Sequence, residues 1–347
     1  MNITTRRSLG RSDVELTALS FGAAPVGNFR YPMTNVEADR QIDNAWSAGI
    51  RYFDTAPSYG AGMSEHRLGH ALSERPRDEF VVSSKVGYVL QPLRGREVDF
   101  GLWAAPGPFD QVHDYSRDGT LRSLESTLDR MLMDTIDIVF IHDVDRYTHG
   151  GRQAEVFRQA VEEAFPTLAE LRDQGVVKAI GFGVNEASVC DDALSVTDPD
   201  CFLLAGRYTL LEQEPLDSLL PRCEERGVGL VLGGAFNSGV LATGAVDGAH
   251  FNYGPASVEV LDRVRALEAV CARYEVPLPA AALQFAISHP AIASVCIGSR
   301  NVSQQAQAYE WFGTRIPAEF WEDLRDVGLI RSDAPTPVVE SASDGVV

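Results

Sequence analysis

Short apolar runs of strand length alternate with longer amphipathic stretches along most of this 347-residue sequence. The runs occupy residues 19–21, 51–54, 80–85, 136–142, 179–183, 201–205, 229–233 and 293–297. Apolar strands separated by helical patterns, with no long antiparallel alternation, point to a parallel sheet joined by right-handed crossovers. Eight such units fit an α/β fold closed as a (β/α)8 or TIM barrel, which routinely takes up a chain of this length as one domain. An open doubly wound sheet is the competitor. It is disfavoured because no G-x-G-x-x-G follows the first run and no G-x-x-x-x-G-K-[ST] occurs.

Helix punctuation agrees with this reading. Thr34-Asn35-Val36-Glu37 has the form of a capping box opening a helix to about residue 48, with Gly49 at the C-terminal cap position. Residues 64–72, 120–132 and 155–174 are further helices, the last ended by Gly175. Residues 87–118 are rich in Gly, Pro, Trp and Phe, and a connection this long inside a compact domain is expected to be functional, here a substrate-facing lid. The expected organisation is a single barrel domain over 1–331 and a mobile tail over 332–347, which is rich in Pro, Ser and Asp.

Charge and cysteines narrow the setting. The formal net charge of −19 and pI near 4.7 argue against a nucleic-acid partner, which needs basic patches, and against an anionic membrane surface. Cys190, Cys201, Cys223, Cys271 and Cys296 are odd in number and never form a C-x-x-C pair. Reduced, buried thiols in a cytoplasm are expected. No run reaches the length of a membrane span, and the first residues carry no apolar signal region. Oligomeric state is not legible.

In a barrel, the carboxyl ends of the strands share one mouth. Asp54 ends the second run, with Tyr59 in its loop, and Lys85 and His142 end the third and fourth. Individually these read blandly, as a turn cap, a loop aromatic, a strand-end lysine and a core histidine. Jointly they make chemical sense. A phenol, ordinarily with a pKa near ~10, needs a nearby ammonium to ionise, and a buried lysine needs a carboxylate to stay charged. His142 would orient a substrate oxygen beside the phenol. No zinc signature or serine-hydrolase elbow is present, so no metal is expected.

FDTAPSYG followed by SEHRLGHAL, then SSKVG, IDIVFIHDVD, GVVKAIGFGVN and IGSRNVSQQ, resembles the aldo-keto reductase superfamily from about residue 5 to residue 329. The resemblance implies the barrel, an extended NAD(P) without a Rossmann fold, and a catalytic tetrad at Asp54, Tyr59, Lys85 and His142. It implies cofactor contacts at Gly22, at Asn185, at the diphosphate loop Phe236, Asn237, Ser238, Gly239 and Leu241, and at the adenosine end, Gly298, Ser299, Arg300 and Gln304. Val184, Ala205 and Gly233 stand where the family usually has serine, glutamine and a stacking tyrosine. NAD and NADP are not distinguished.

LLAGRYTLLEQ and GGAFNSGVL are similar to a bacterial branch of aldose, L-fucose and pyridoxal dehydrogenases, in which a cyclic hemiacetal is oxidised to a lactone. The expected substrate is therefore a small sugar or related aldehyde, met by Tyr88, Trp103, His113, Asp143 and Arg207. A reductase of sugar aldehydes and a pyridoxal 4-dehydrogenase are the alternatives. A cofactor-sensing binding subunit is the alternative from another class.

Overall fold

A computed structural model describes residues 1–337. Its centre is a closed barrel of eight parallel strands: β1 (Leu19–Gly22), β2 (Tyr52–Asp54), β3 (Val81–Val86), β4 (Ile138–His142), β5 (Ala179–Val184), β6 (Cys201–Ala205), β7 (Gly229–Gly233) and β8 (Ile292–Ile297). They pair in sequence order, and Val295 opposite Leu19 closes the ring. Each lies within two residues of its expected position.

Side-chain alternation sorts the core into two layers. Tyr52, Ile138, Phe140, Ala179, Cys201, Leu203, Val231 and Cys296 fill the barrel, while Phe53, Val82, Val139, Ile180 and Phe202 face the helices. All five cysteines are free and buried. Thr34 and Glu37 form the capping box, and Gly49 takes φ 89°. The long helical segment starting at Gln153 contains one wide turn, Ala160–Ala164, directly before Phe165–Asp173. Pro166 accounts for it, since a proline lacks the amide that an unbroken α-helix requires there.

Three features differ from the sequence expectations. A hairpin of Arg6–Ser8 with Glu15–Thr17 precedes the barrel, and its Leu9, Val14 and Leu16 join the barrel's interior cluster. The 87–118 segment contains a hairpin that no expectation placed, Tyr88–Pro92 pairing antiparallel with Phe109–His113. The expected tail begins too early. Ala334 is buried and its carbonyl accepts from Arg325 at 3.0 Å, whereas 338–347 lie outside the described residues. No helix among the described residues is long and apolar enough to cross a membrane.

Candidate active site

The side of the barrel that holds Tyr52 also takes Asp54, because side chains alternate along β2; Lys85 and His142 are brought to the same mouth by β3 and β4. All three are buried. Lys85 Nζ donates to Asp54 Oδ1 and Oδ2 at 3.0 and 2.9 Å and to the Thr55 carbonyl at 2.7 Å, which fills the three donor positions of an ammonium. Ser83 Oγ donates to Asp54 Oδ1 at 2.7 Å. Gly183 lies against this lysine, where a Cβ would crowd Phe140 Cβ and only touch the Lys85 stem.

The Tyr59 loop is held by close backbone contact. Gly60, at φ 64°, lies so near Gly27 that a Cβ would collide with the Gly27 carbonyl. Thr55 Oγ1 and Ser64 Oγ share a buried hydrogen bond of 2.8 Å, and Ser64 Oγ donates to Ala23 O at 2.7 Å. So anchored, the Tyr59 ring lies 4.6 Å from Lys85 Nζ, 5.8 Å from the His142 ring and 5.6 Å from Trp103. The four expected residues thus converge.

Their electrostatics differ from the sequence argument in one respect. Burial, followed by Asp54 and Asp143, pushes the Tyr59 phenol well above its usual range. Every Lys85 hydrogen bond goes to Asp54 or Thr55, so the ammonium reaches the phenol only through space. Burial and then Lys85 hold the His142 imidazole down and neutral. Its Nδ1 lies 3.4 Å from Ser58 Oγ and its Nε2 3.5 Å from Asp143 Oδ1.

Ser58, Tyr59 and His142 line a cavity of about 340 Å³. Tyr88, Trp103, Asp143 and Asn185 line it as well, against an apolar floor of Gly183, Val184, Leu203 and Ala205. Tyr88 OH donates to Asp143 Oδ2 at 2.9 Å, and Asn185 Nδ2 donates to Asp143 Oδ1 at 3.3 Å. Two expected substrate residues are elsewhere. His113 stacks behind Tyr88 at 4.4 Å and against His149 at 4.6 Å, outside the lining. Arg207 is bound by Glu212 at 2.8 Å, Asn185 O at 2.5 Å and Asn252 Oδ1 at 2.9 Å, which leaves its guanidinium occupied with tying loops together. Tyr147 and Tyr253, at the cavity's lip, were missed. Tyr147 follows β4 closely enough for the strand-end rule to have reached it, but Tyr253 is too far from β7.

The positions expected to hold a nucleotide divide. Arg300 stacks on Tyr31 at 4.3 Å and pairs with no acid among the described residues; it precedes helix Val302–Gly313, whose cap Asn301 accepts from Gln304 N at 2.9 Å. Ser299 and Gln304 flank it, and Gln304 Oε1 accepts from Arg300 N at 3.2 Å. A free guanidinium at a helix amino terminus suits a phosphate. The diphosphate loop fits less simply. The amides of Asn237, Gly239, Val240 and Leu241 already donate to Gly234, Phe236, Asn237 and Phe236, so a wrap of free amides is not what this geometry offers. What it offers is open space over Gly239, where a Cβ would meet nothing, and a buried Asn237 Oδ1 without a partner. Ser238 Oγ accepts from Tyr253 N, Phe236 packs on Trp311, and Leu241 is core. Gly22 is fixed by packing, as a Cβ would press on Cys296 and Ile297, and Gly298 abuts Pro25 in the same way. Among the described residues no cluster could hold a metal ion.

Residues 18–328 match the Aldo/keto reductase family. The chain belongs to that family. It is an oxidoreductase, and two of its relatives are dehydrogenases by name. Pyridoxal 4-dehydrogenase of Microbacterium luteolum is 41% identical over 95% of this chain and 99% of that protein. D-threo-aldose 1-dehydrogenase of a Pseudomonas species is 38% identical over 96% and 99%. An aldo-keto reductase of Bacillus halodurans in its holo form superposes with a TM-score of 0.74, at 23% identity, covering 97% of this chain and 99% of that one, and shares the fold.

Proposed function

We propose that this aldo/keto reductase oxidises an aldose, as its cyclic hemiacetal, at the anomeric carbon to a lactone, with Tyr59 as acid/base and NAD(P) as redox partner. The observation that carries the reading is that Tyr59 and His142 line one cavity together with Tyr88, Asp143 and Asn185, while Lys85, paired with Asp54, lies 4.6 Å from the Tyr59 ring. Two relatives that are dehydrogenases by name, one of an aldose, support it.

His142 Nε2 would donate to the anomeric hydroxyl oxygen and hold it beside Tyr59. Tyr59 would take the hydroxyl proton as the carbon–hydrogen bond breaks. Lys85 stabilises the phenolate through space, and Asp54 holds the ammonium in place. A bound nicotinamide nucleotide supplies the hydride acceptor and, when oxidised, a positive charge that favours the phenolate. Asn185, Ser299, Arg300 and Gln304 would hold it. The apolar floor and Trp103 exclude water from the reacting face.

One observation favours a second reading, reduction of a sugar aldehyde. Burial together with Asp54 and Asp143 keeps the Tyr59 phenol protonated, the form that donates to a carbonyl oxygen. Both readings are tested by nicotinamide absorbance with L-fucose, D-arabinose, L-galactose, glucose and pyridoxal, with NAD and NADP, in each direction. Turnover of an aldose is expected. Turnover of pyridoxal alone would replace the aldose, and nucleotide binding without turnover of any of them would favour a sensing subunit. Tyr59→Phe should abolish turnover while nucleotide still binds, as read by fluorescence titration.

A further inference from the structure

We propose that Asp143 reads the hydroxyl on the carbon next to the reacting carbon, so that the substrates of this pocket are aldoses bearing that hydroxyl. This rests on the hemiacetal-oxidation reading above. Asp143 directly follows His142 at the end of β4 and takes a left-handed φ of 53°, a conformation that aspartate adopts more readily than most residues. Its amide donates to Gly183 O at 2.9 Å, which fixes the turn, and its side chain lines the cavity.

The carboxylate has unfilled acceptor capacity there. An ionised carboxylate offers about four acceptor positions. Tyr88 OH uses one on Oδ2, and Asn185 Nδ2 uses one on Oδ1 through a longer contact of 3.3 Å. No lysine or arginine pairs with it among the described residues, because Arg207 is held by Glu212 and Lys85 by Asp54. Asp145, its acidic neighbour, is differently placed. It is fully buried, and its oxygens accept from Thr148 N at 3.0 Å and Asn185 N at 2.8 Å, so it supports the loop. The ionisable groups facing Asp143 are Asp145 and His142 beside it, Lys85 of β3, Tyr88 of the hairpin, and Tyr59, Tyr115 and Tyr253 from other loops. Burial and the Asp143 charge raise the Tyr88 phenol, which therefore remains a donor.

Distance selects the hydroxyl. Asp143 Oδ1 is 3.5 Å from His142 Nε2. Two substrate oxygens on adjacent carbons lie about one hydrogen-bond length apart. With one on His142 and the other on Asp143, each at about 2.8 Å, the four atoms close into a quadrilateral without strain. A ligand with a hydroxyl only on the reacting carbon leaves the carboxylate facing an apolar edge.

The test compares the aldose the enzyme oxidises with its 2-deoxy analogue, in wild type, Asp143→Asn and Asp143→Gly, since asparagine and glycine both tolerate the left-handed backbone. A hydrogen bond to a charged group implies that wild type prefers the hydroxylated sugar by about 10- to 100-fold in kcat/KM. That preference should shrink in Asp143→Asn and fall below about threefold in Asp143→Gly. Equal losses for both sugars, with a preference as large as wild type's, would overturn the assignment by showing a merely structural role. Activity confined to pyridoxal, whose nearest hydroxyl is one carbon further away, would overturn it as well. A wild type inert on every hemiacetal overturns the underlying reading first.

Discussion

Replacing Lys85 by methionine separates its two roles, and both can be sized from the structure. The ammonium is 4.6 Å from the centre of the Tyr59 ring. A unit charge at that distance, in an effective dielectric near 20, is worth about 3.6 kcal/mol to a phenolate, or several hundredfold in rate. The same change strands Asp54, which is buried with its carboxylate turned to the lysine. A buried carboxylate left without its partner costs about 3–5 kcal/mol of stability. The assay is urea unfolding, run beside kcat. Asp54→Asn added to Lys85→Met should recover most of the stability and little of the rate. If Lys85→Met loses less than tenfold in kcat, or if the double variant recovers the rate, Lys85 does not act on Tyr59 through its charge.

Arg300→Ala should weaken binding of NAD or NADP at least about tenfold, as expected for a lost charge-assisted contact to phosphate; unchanged dissociation constants by fluorescence titration would remove Arg300 from the nucleotide site. Gly60→Ala forces a Cβ against the Gly27 carbonyl at φ 64° and should cost about 2–3 kcal/mol in urea unfolding, with kcat falling as the Tyr59 loop shifts. Burial and Asp145 push the Asp143 carboxyl up to about 7. The charged acceptor is therefore present above that pH and lost below it, so the preference for a 2-hydroxylated aldose should be larger at pH 8 than at pH 6, and the difference should vanish in Asp143→Asn.

The barrel was legible because buried parallel strands leave near-continuous apolar runs, and β6 and β7 were delimited by sequence to the residue. The meeting of Asp54, Tyr59, Lys85 and His142 followed from one rule, that strand ends share a mouth. The hairpin at Arg6–Ser8 and Glu15–Thr17 escaped because three-residue strands with exposed charges carry no periodicity. Tyr88–Pro92 and Phe109–His113 pair across the long connection 93–108, so no local turn signal announces them. The bonds that occupy Arg207 were not legible for a different reason. Whether an arginine beside a strand end meets substrate depends on its competitors, and Glu212 and the Asn185 carbonyl are set by loop geometry that the sequence does not show.

The Arg207 bonds bear on how the pocket keeps its shape. Asp143 after β4 is bonded to Asn185 after β5, Asn185 O accepts from Arg207 after β6, and Arg207 reaches Asn252 in the loop after β7. Tyr253, next to Asn252, returns a hydrogen bond from its hydroxyl to Asn185 Oδ1 at 3.3 Å. The loops after β5, β6 and β7 thus form one closed polar ring, to which Asp143 on the loop after β4 is bonded through Asn185. Partner groups in such a ring are energetically coupled, so removing one should alter the others' contributions. Arg207→Ala is therefore expected to alter substrate preference through this ring, as read by kcat/KM for two aldoses. Loss of Arg207 would free Asn185 and the short hairpin of His250–Phe251 with Gly254–Pro255, and so loosen the neighbour bonded to Asp143. Exchanging any one loop for that of a relative would therefore transfer specificity poorly, whereas exchanging the ring as a unit would carry it.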